Sequence, residues 1–399
     1  MLENKKLIMK QSIKRMRKNS IFFLPLMTLF ILHINCNKST GFTNSVFIAE
    51  AVSSKIVPLK IENGVGTGNL TISSAYTVNG NVKVDFAVQG ADYLNEYNTA
   101  NNTSYSLLSD SAYTLSASSV TIPTGNALSN VLTVSIDVTK WSAYQTGKLY
   151  VIPVKIVRAD NGIATIGGAD IALIQLNAVI NLTTAQIGNS PGKRWSDGFN
   201  VPASVFTDAA TGGPHNTYTL EGRFMCAGIF DGNGEGNMWQ NVVFAEPATW
   251  FHLVSNGKLQ PNSGPVSSLV EKVTLGQWYH FAIVHEAGSI TYYINGTPIL
   301  TSSYAPRTGT GDFGHSSGSA KLTLAEYRVW RTARSRNQIN NFMCAVDSTD
   351  KDLVAYWPLN PNAPGGVLRD VSGNNNHLTL GTDNLSKITP VSGVRCPGN

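Results

Sequence analysis

The sequence predicts an all-β protein, and three features of its 399 residues support this prediction. Apolar and polar residues alternate with a period of two in many short runs, which is typical of half-buried strands. Turn-forming pairs such as Asn63-Gly64 and Asn161-Gly162 separate these runs. Only 14% of the residues are charged and 42% are hydrophobic, which excludes a charge-rich disordered chain. Two successive β-sandwiches account best for the length and the pattern.

The first 36 residues have the pattern of an export signal. A basic stretch from Lys14 to Lys18 precedes an apolar run from Ile21 to Ile34. A helix of that length is too short to cross a hydrocarbon core about 30 Å thick. A basic segment before a short apolar run is typical of a secretory signal.

Cys36 follows the apolar run directly, and this arrangement resembles a bacterial lipoprotein signal. The resemblance implies that Cys36 is lipidated and becomes the mature N-terminus, with residues 37–44 as a tether. His33 and Asn35 depart from the usual Leu-like and small residues of such signals, so a secreted protein with an unmodified cysteine is the alternative. The expected location is the cell envelope, lipid-anchored at the outer membrane, with the periplasmic and surface sides undecided.

The positive charge of the chain lies in its N-terminal segment. Residues 1–35 contain seven basic residues and one acidic residue, whereas residues 36–399 contain 23 basic and 24 acidic residues. A nearly neutral mature chain lacks the basic surface that phosphate backbones require, so we expect no nucleic-acid partner.

Residues 45–180 predict a Greek-key, immunoglobulin-like sandwich. One short helix is predicted at Asp92 to Asn98. The strand runs are Val82 to Val88, Leu132 to Val138, Lys148 to Val157 and Asp170 to Val179.

Residues 181–213 are rich in Thr, Gly, Pro and Asn and predict a linker, and residues 214–399 predict a second sandwich. Near its end, Ser335 and Gln338 have the spacing of a capping box, which predicts a helix from Ser335 to Met343. The predicted strands are Tyr218 to Ile229, Met238 to Phe244, Thr249 to Ser255, Trp278 to His285, Ile290 to Ile294 and Leu322 to Trp330.

Several segments of the second sandwich resemble the laminin-G/concanavalin-A-like jelly roll. They are Gln277 to Val284, Ile290 to Gly296, Ala325 to Trp330, Leu353 to Leu359 and the turn Asp370 to His377. The first sandwich resembles an N-terminal domain of unknown function found in lipoproteins of Bacteroidota, at Asp92 to Asn98, Ser119 to Gly125 and Tyr150 to Val154. The resemblance implies a role in glycan utilisation, with outer-membrane glycan-uptake proteins as partners.

Carbohydrate binding is the function that this resemblance favours, through aromatic side chains in loops that stack on sugar rings. One candidate group is Trp239 with Asn241. The other is Tyr304 with Arg307, Asp312 and His315, and Trp195 and Trp250 are outside candidates. Ordinary loop packing is the alternative for each aromatic residue.

Two other functions stay open at this point. The chain could be a structural or adhesion module that binds a protein partner, or a glycoside hydrolase. No hydrolase motif is present and no strand carries the alternating acids that a retaining glycosidase needs. We therefore expect no catalytic residue, and we expect Trp278, Trp330, Trp357 and His280 to be packed, with Glu326 and Arg328 forming an ion pair.

Calcium is the one cofactor that the sequence suggests. Asp231, Asn233 and Glu235 offer oxygen ligands at alternate positions, as a calcium loop does, although a flexible Gly-rich turn fits the same residues.

Cys344 and Cys396 lie near the end of the second sandwich, where an oxidising compartment permits a disulfide. Cys226 lies in an apolar strand and is expected to be a buried thiol.

Overall fold

The structure is a computed structural model, and it confirms the all-β prediction of two sandwiches. It describes residues 43–187, 198–229, 241–247, 249–254, 258–262, 271–314, 320–380 and 385–397. Short 3₁₀ turns interrupt the strands at Ala49–Ala51, Asp110–Ala112, Val138–Lys140, Asp160–Gly162, Ala203–Val205 and Leu385–Lys387.

The first sandwich packs a three-stranded sheet, in the order β11-β1-β4, against a larger sheet that contains β8-β5-β10-β12-β2-β3-β9-β7. Its core is mostly aliphatic, and alternate residues of the strands, such as Val82 and Val84 of β5, point into it. The helix α1 (Ala91–Asn101) follows β5. The strands are Ser45–Ile48 (β1), Ile56–Glu62 (β2), Val65–Leu70 (β3), Ile72–Ser74 (β4), Val82–Val88 (β5), Ser106–Leu107 (β6), Tyr113–Leu115 (β7), Ser119–Ile122 (β8), Leu132–Asp137 (β9), Tyr150–Ala159 (β10), Ala164–Thr165 (β11) and Ile171–Ile187 (β12).

The second sandwich has two facing sheets around an aromatic core. The first sheet runs β21-β20-β19-β14-β23 and continues into β24, and the second, which we call the six-stranded sheet, runs β13-β22-β15-β16-β17-β18. The strands are Phe199–Val201 (β13), Tyr218–Ile229 (β14), Asn241–Glu246 (β15), Thr249–Val254 (β16), Lys258–Asn262 (β17), Glu271–Lys272 (β18), Trp278–Glu286 (β19), Ser289–Ile294 (β20), Thr297–Ser303 (β21), Gly311–Phe313 (β22), Ala320–Trp330 (β23), Leu353–Trp357 (β24) and Thr389–Cys396 (β25).

Strand β12 belongs to both sandwiches, and this corrects the prediction of a linker over residues 181–213. Its residues 171–179 pair with β2 and β10, and its residues 180–187 pair with β25 and β23. Ala185 and Ile187 are fully buried in the second core. The linker prediction was wrong for this part because Thr184 and Gln186, which are buried, give the segment the polar composition of a loop.

The helix of the second sandwich begins as the capping box predicted. Helix α2 (Arg336–Asn341) has Ser335 as its N-cap, and the Ser335 hydroxyl accepts from the backbone of Gln338 while the Gln338 side chain accepts from the backbone of Ser335. Under α2, the turn Asn295-Gly296 joins β20 and β21 with positive φ angles of 47° and 70°. A Cβ on Gly296 would lie 1.5 Å from Asn340 Oδ1, so this close approach requires glycine. None of the helices in the described part of the chain has the length and apolar content to cross a membrane.

Two features fix the C-terminal part of the chain. The carboxylate of Asp370, which is buried, accepts from the backbone amides of Tyr356, Ser372 and Asn376 at 2.9 Å each. Asp370 therefore holds the turn from Asp370 to His377 in place, and its role is structural. A disulfide joins Cys344 to Cys396 at the end of β25, with 5.4 Å between their Cα atoms, and Cys226 is a buried cysteine outside it.

Candidate functional site

A row of residues crosses the outer face of the six-stranded sheet from strand to strand. Thr379 pairs with Asn200 of β13, Asn200 with Asp312 of β22, and Asp312 with Ala245 of β15. Ala245 in turn pairs with Trp250 of β16. Residues paired in this way point to the same face and lie about 4.5–5.5 Å apart. We call these five residues the outer row.

Trp250 is the aromatic member of the outer row. Its neighbours Thr249, Phe251 and Leu253 are buried, because alternate residues of β16 face the core. Trp250 therefore faces outward and is 50% exposed. Its indole stacks on the imidazole of His252, two residues along the same face, with ring centroids 5.3 Å apart and planes 30° apart.

The other members of the row are polar or small. Asn200 and Thr379 are exposed and Asp312 is half-buried, whereas the flanking Phe199 and Phe313 are fully buried. Ala245 is buried between Asp312 and Trp250. Since alanine has no atoms beyond Cβ, the row is lowest at this position. The arrangement places a carboxylate, an amide and a hydroxyl on one side of this low point and an apolar ring on the other.

Tyr304, which the sequence suggested as a sugar platform, faces inward instead. Its hydroxyl lies 3.3 Å from Glu246 Oε2 and 3.1 Å from the Tyr218 hydroxyl. Its ring meets the imidazole of His285 edge-on at 4.3 Å. The hydroxyl and one side of this half-buried ring are therefore engaged within the protein, and Tyr304 is not part of the outer row.

The polar cluster around Tyr304 closes one end of the core. Glu246 accepts a hydrogen bond from Tyr218, and His285 Nε2 lies 2.8 Å from Glu246 Oε1. Burial raises the pKa of both Tyr218 and Tyr304, and the nearby Glu246 carboxylate adds to this effect. Both phenols are therefore neutral donors, and the cluster is enclosed rather than open to a ligand.

Most of the remaining predicted site residues lie away from the outer row or outside the described residues. Arg307 is exposed in the loop between β21 and β22, and Asn241 begins β15, so neither belongs to the outer row. Of the group predicted around Tyr304, only Asp312 is in the row. Cys36, Trp195, Trp239 and His315, together with the calcium candidates Asp231, Asn233 and Glu235, lie outside the described residues. Within the described ranges, no group of three or more His, Cys, Asp or Glu side chains could hold a metal ion.

A second polar cluster lies on the outer face of the other sheet, beneath α2. Arg328 donates to Glu221 Oε2 from Nε at 2.9 Å and from Nη2 at 2.5 Å. Arg334 Nε lies 2.9 Å from Glu221 Oε1, and His280 Nε2 lies 3.5 Å from Oε2. Burial alone would raise the pKa of Glu221, but Arg328 and Arg334 together outweigh it and lower this pKa to about 2. Glu221 is therefore ionised and fully paired.

Glu326 is the second carboxylate of this cluster. It accepts a hydrogen bond from the Tyr356 hydroxyl and lies 3.9 Å from Arg328 Nη1. Its φ of 61° coincides with a register shift between β14 and β23. Burial raises the pKa of Glu326 to about 7, against the opposing effects of Tyr356 and Arg328. The expected Glu326–Arg328 contact is present, but the closer partner of Arg328 is Glu221.

Sequence reasoning gave Trp250 too little weight and missed Asn200. The signal for both was the alternation of their neighbours. Phe251 and Leu253 place Trp250 outside, and Phe199 and Val201 place Asn200 outside. The pairing of distant strands that brings them together leaves no local trace in the sequence.

Two family models match parts of the chain. Residues 42–163 match a model described as an N-terminal domain. Residues 215–340 match the model of the concanavalin A-like lectin/glucanases superfamily, laminin-G type. A search of curated proteins finds no match.

Solved structures resemble the chain at low sequence identity. A candidate carbohydrate-binding protein from Bacteroides ovatus is 20% identical, with a TM-score of 0.50 over 87% of this chain and 97% of that one. A heptameric SAP-like pentraxin from Limulus polyphemus is 14% identical, with a TM-score of 0.28 over 54% of this chain and 89% of that one. EndoBT-3987 from Bacteroides thetaiotaomicron is 17% identical, with a TM-score of 0.29 over 33% of this chain and 30% of that one. At such identities the first likeness concerns the fold alone. The two matches therefore liken residues 42–163 to an N-terminal domain and residues 215–340 to a concanavalin A-like, laminin-G-type domain.

Proposed function

We propose that the protein is a lipid-anchored lipoprotein of the cell envelope that binds carbohydrate without cleaving it, and that the outer row is its binding site. The observation that carries the proposal is the exposed indole of Trp250 in register with the half-buried carboxylate of Asp312. The concanavalin A-like match and the likeness to the candidate carbohydrate-binding protein from Bacteroides ovatus support the same ligand class.

The chemistry of the row suits a sugar. A pyranose ring has an apolar face that packs on an indole, and hydroxyl groups at its edge that need acceptors and donors. Trp250 supplies the apolar surface for the ring face. Asp312, Asn200 and Thr379 supply hydrogen-bonding groups for the hydroxyls. Because His252 stacks on Trp250, the indole is held in place before the ligand arrives, which reduces the entropy lost on binding.

The positions of the acids favour binding over hydrolysis. A glycosidase needs two carboxylates that flank one bond. On the described outer face of the six-stranded sheet, Asp312 is the acid of the row, while Glu246, next to Ala245, points into the core and binds Tyr218. Glu221 and Glu326 lie on the other sheet and are engaged by Arg328 and Tyr356.

The test of carbohydrate binding compares Trp250→Ala with Tyr76→Ala on a glycan array and in affinity electrophoresis. Tyr76 is 51% exposed on the first sandwich and serves as the matched control. We expect Trp250→Ala to weaken retention about 30-fold or more, as loss of an aromatic anchor does, and Tyr76→Ala to bind as wild type. Equal retention by both variants would refute the site. Capture of a protein partner without any glycan would favour the adhesion alternative.

The membrane anchor is tested separately. Cells expressing wild type or Cys36→Ser would be labelled with a palmitate analogue and fractionated. We expect label and membrane association for wild type, and neither for Cys36→Ser. An unlabelled wild-type protein would show that Cys36 is not the anchor.

A further inference from the structure

We infer that a cleft between the two sandwiches binds one uncharged monosaccharide unit, at a second site separate from the outer row. The cleft has a volume of about 250 Å³. Its lining comes from residues within 144–149 of the first sandwich, from the shared strand β12, and from residues 340–345 at the end of α2 and after it. The inference is carried by these residues and does not depend on the outer row.

The floor of the cleft is part of β12, and a chain of hydrogen bonds arranges its polar groups. Ile174 and Leu176 point into the first core, so Gln175 and Asn177 lie on the opposite face of the strand, where they line the cleft. The Tyr105 hydroxyl donates to Gln175 Oε1 at 3.3 Å, and Gln175 Nε2 donates to Asn177 Oδ1 at 3.1 Å. Because this chain uses the oxygen of Asn177, the Nδ2 group is the part of Asn177 that can donate to a ligand.

The facing wall adds a second carboxamide and apolar rings. Asn341, which ends α2, and Phe342 line this wall, and Tyr144 lines the side of the first sandwich. Phe342 and Tyr144 are half-buried. A carboxamide both donates and accepts hydrogen bonds, as a sugar hydroxyl does, and an aromatic ring packs on the apolar face of a pyranose. The lining therefore offers both kinds of surface that a sugar needs.

The charges of the lining favour a neutral ligand. Among the described residues that line the cleft, Lys148 is the charged one, and its Nζ lies 3.3 Å from Asp347 Oδ2. This ion pair already satisfies the ammonium group. A charged ligand would lose water without gaining a counter-charge, which is unfavourable.

Several contacts fix the walls of the cleft before a ligand arrives. Strand β12 runs unbroken beneath both sandwiches. Gly147, with a φ of 94°, lies so close to the segment after α2 that a Cβ on it would be 2.3 Å from the carbonyl carbon of Val346. Cys344, which lines the cleft, is tied to Cys396 by the disulfide. A site that is already ordered loses less entropy on binding.

The volume of the cleft determines the size of the ligand. Pockets for drug-sized ligands measure about 300–1,000 Å³, and this cleft lies just below that range. It therefore has room for one sugar ring, and the second unit of a disaccharide would lie outside. For a ligand of that size we expect a Kd on the order of 1 mM.

The test titrates the mature protein carrying Trp250→Ala, so that the ring of the outer row does not contribute to the signal. The probes are glucose, galactose and mannose, each with its uronate and its 2-amino sugar as charged counterparts. Binding is measured by ligand-observed NMR at sugar concentrations up to roughly 20 mM, which covers a Kd on the order of 1 mM. We expect at least one neutral sugar to bind, and its charged counterparts to bind about fivefold more weakly or less.

Two further variants, made in the same protein, assign the binding to the cleft. Asn177→Ala removes a donor and should weaken binding about fivefold. Asn341→Trp places a large ring in the cleft and should weaken binding by more than about tenfold, as steric exclusion does. Asn79, exposed in the loop between β4 and β5, is the matched control, and Asn79→Ala and Asn79→Trp should bind as their parent does. Thermal melting checks that each variant is folded, and Asn177→Ala, the milder change, decides the matter if Asn341→Trp does not fold.

The outcomes separate this inference from the proposed function. Sugar binding that Asn177→Ala leaves unchanged, tighter binding of a uronate or an amino sugar, or no binding of any monosaccharide would each overturn the cleft site. None of these results affects the outer row, whose test is the retention of glycans by wild type and by Trp250→Ala. Loss of the outer row in that test would likewise leave the cleft site standing.

Discussion

Arg328 donates two hydrogen bonds to the same carboxylate oxygen of Glu221, and both side chains are fully buried. Such a buried ion pair adds little to folding stability when compared with apolar residues packed in its place. Removing one partner, however, leaves an uncompensated charge inside the protein. We expect Arg328→Met to lower the free energy of unfolding by about 3–5 kcal/mol, measured by urea denaturation.

The control for this variant is an exposed ion pair on the first sandwich. Lys83 Nζ lies 3.0 Å from Asp85 Oδ1, with both side chains partly exposed, so Lys83→Met should change the free energy of unfolding by less than about 1 kcal/mol. Similar losses for the two variants would show that the Glu221 carboxylate is adequately held by Arg334 alone.

The disulfide should stabilise the second sandwich. Cys344 and Cys396 are 52 positions apart, and closing a loop of that length contributes about 4 kcal/mol in the chain-entropy description. We expect the double variant Cys344→Ser, Cys396→Ser to unfold at a lower urea concentration than wild type. A reductant should shift wild type to the same midpoint and leave the double variant unmoved. A wild-type midpoint that is insensitive to reductant, with unchanged intact mass, would contradict the pairing.

The sequence was sufficient for the two sandwiches, but not for the strand β12 that they share and only partly for the site, and the difference has a physical cause. Alternation and turn pairs are local, so β5, β14 and the Asn295-Gly296 hairpin could be predicted. The outer row depends on which strands become neighbours, a non-local property, so Asp312 was grouped with Tyr304 rather than with Trp250. The contact of the Tyr304 hydroxyl with Glu246 could not be predicted either, because a loop position gives no sign that its hydroxyl will meet a buried carboxylate.

Tyr304 should therefore affect stability and not binding. Tyr304→Phe removes a hydroxyl that contacts Glu246 and Tyr218, and losing a hydrogen bond to a charged group costs about 1.5–3 kcal/mol. We expect that loss in urea denaturation, with glycan retention equal to that of wild type. Weaker retention at unchanged stability would restore Tyr304 as a binding residue.

Glu326 should make stability depend on pH. Its pKa in the folded protein is about 7, and burial is the main cause of this rise from 4.5. Between these two values the folded state holds a proton that the unfolded state has released, so stability falls as pH rises through this window. The loss is roughly 3 kcal/mol, at 1.36 kcal/mol for each unit of difference.

The variant Glu326→Gln isolates this effect, because glutamine keeps the size of the side chain and an acceptor for Tyr356 but does not titrate. We expect the free energy of unfolding of wild type, relative to Glu326→Gln, to fall between pH 4.5 and pH 7. Buried His280, whose pKa desolvation lowers, titrates in both proteins, so its contribution cancels in the difference. Glu96→Gln, an exposed position on α1, should reproduce the wild-type profile. Parallel pH profiles for wild type and Glu326→Gln would mean that the proton is not held at Glu326, and that Arg328 compensates its charge more fully than the 3.9 Å separation implies.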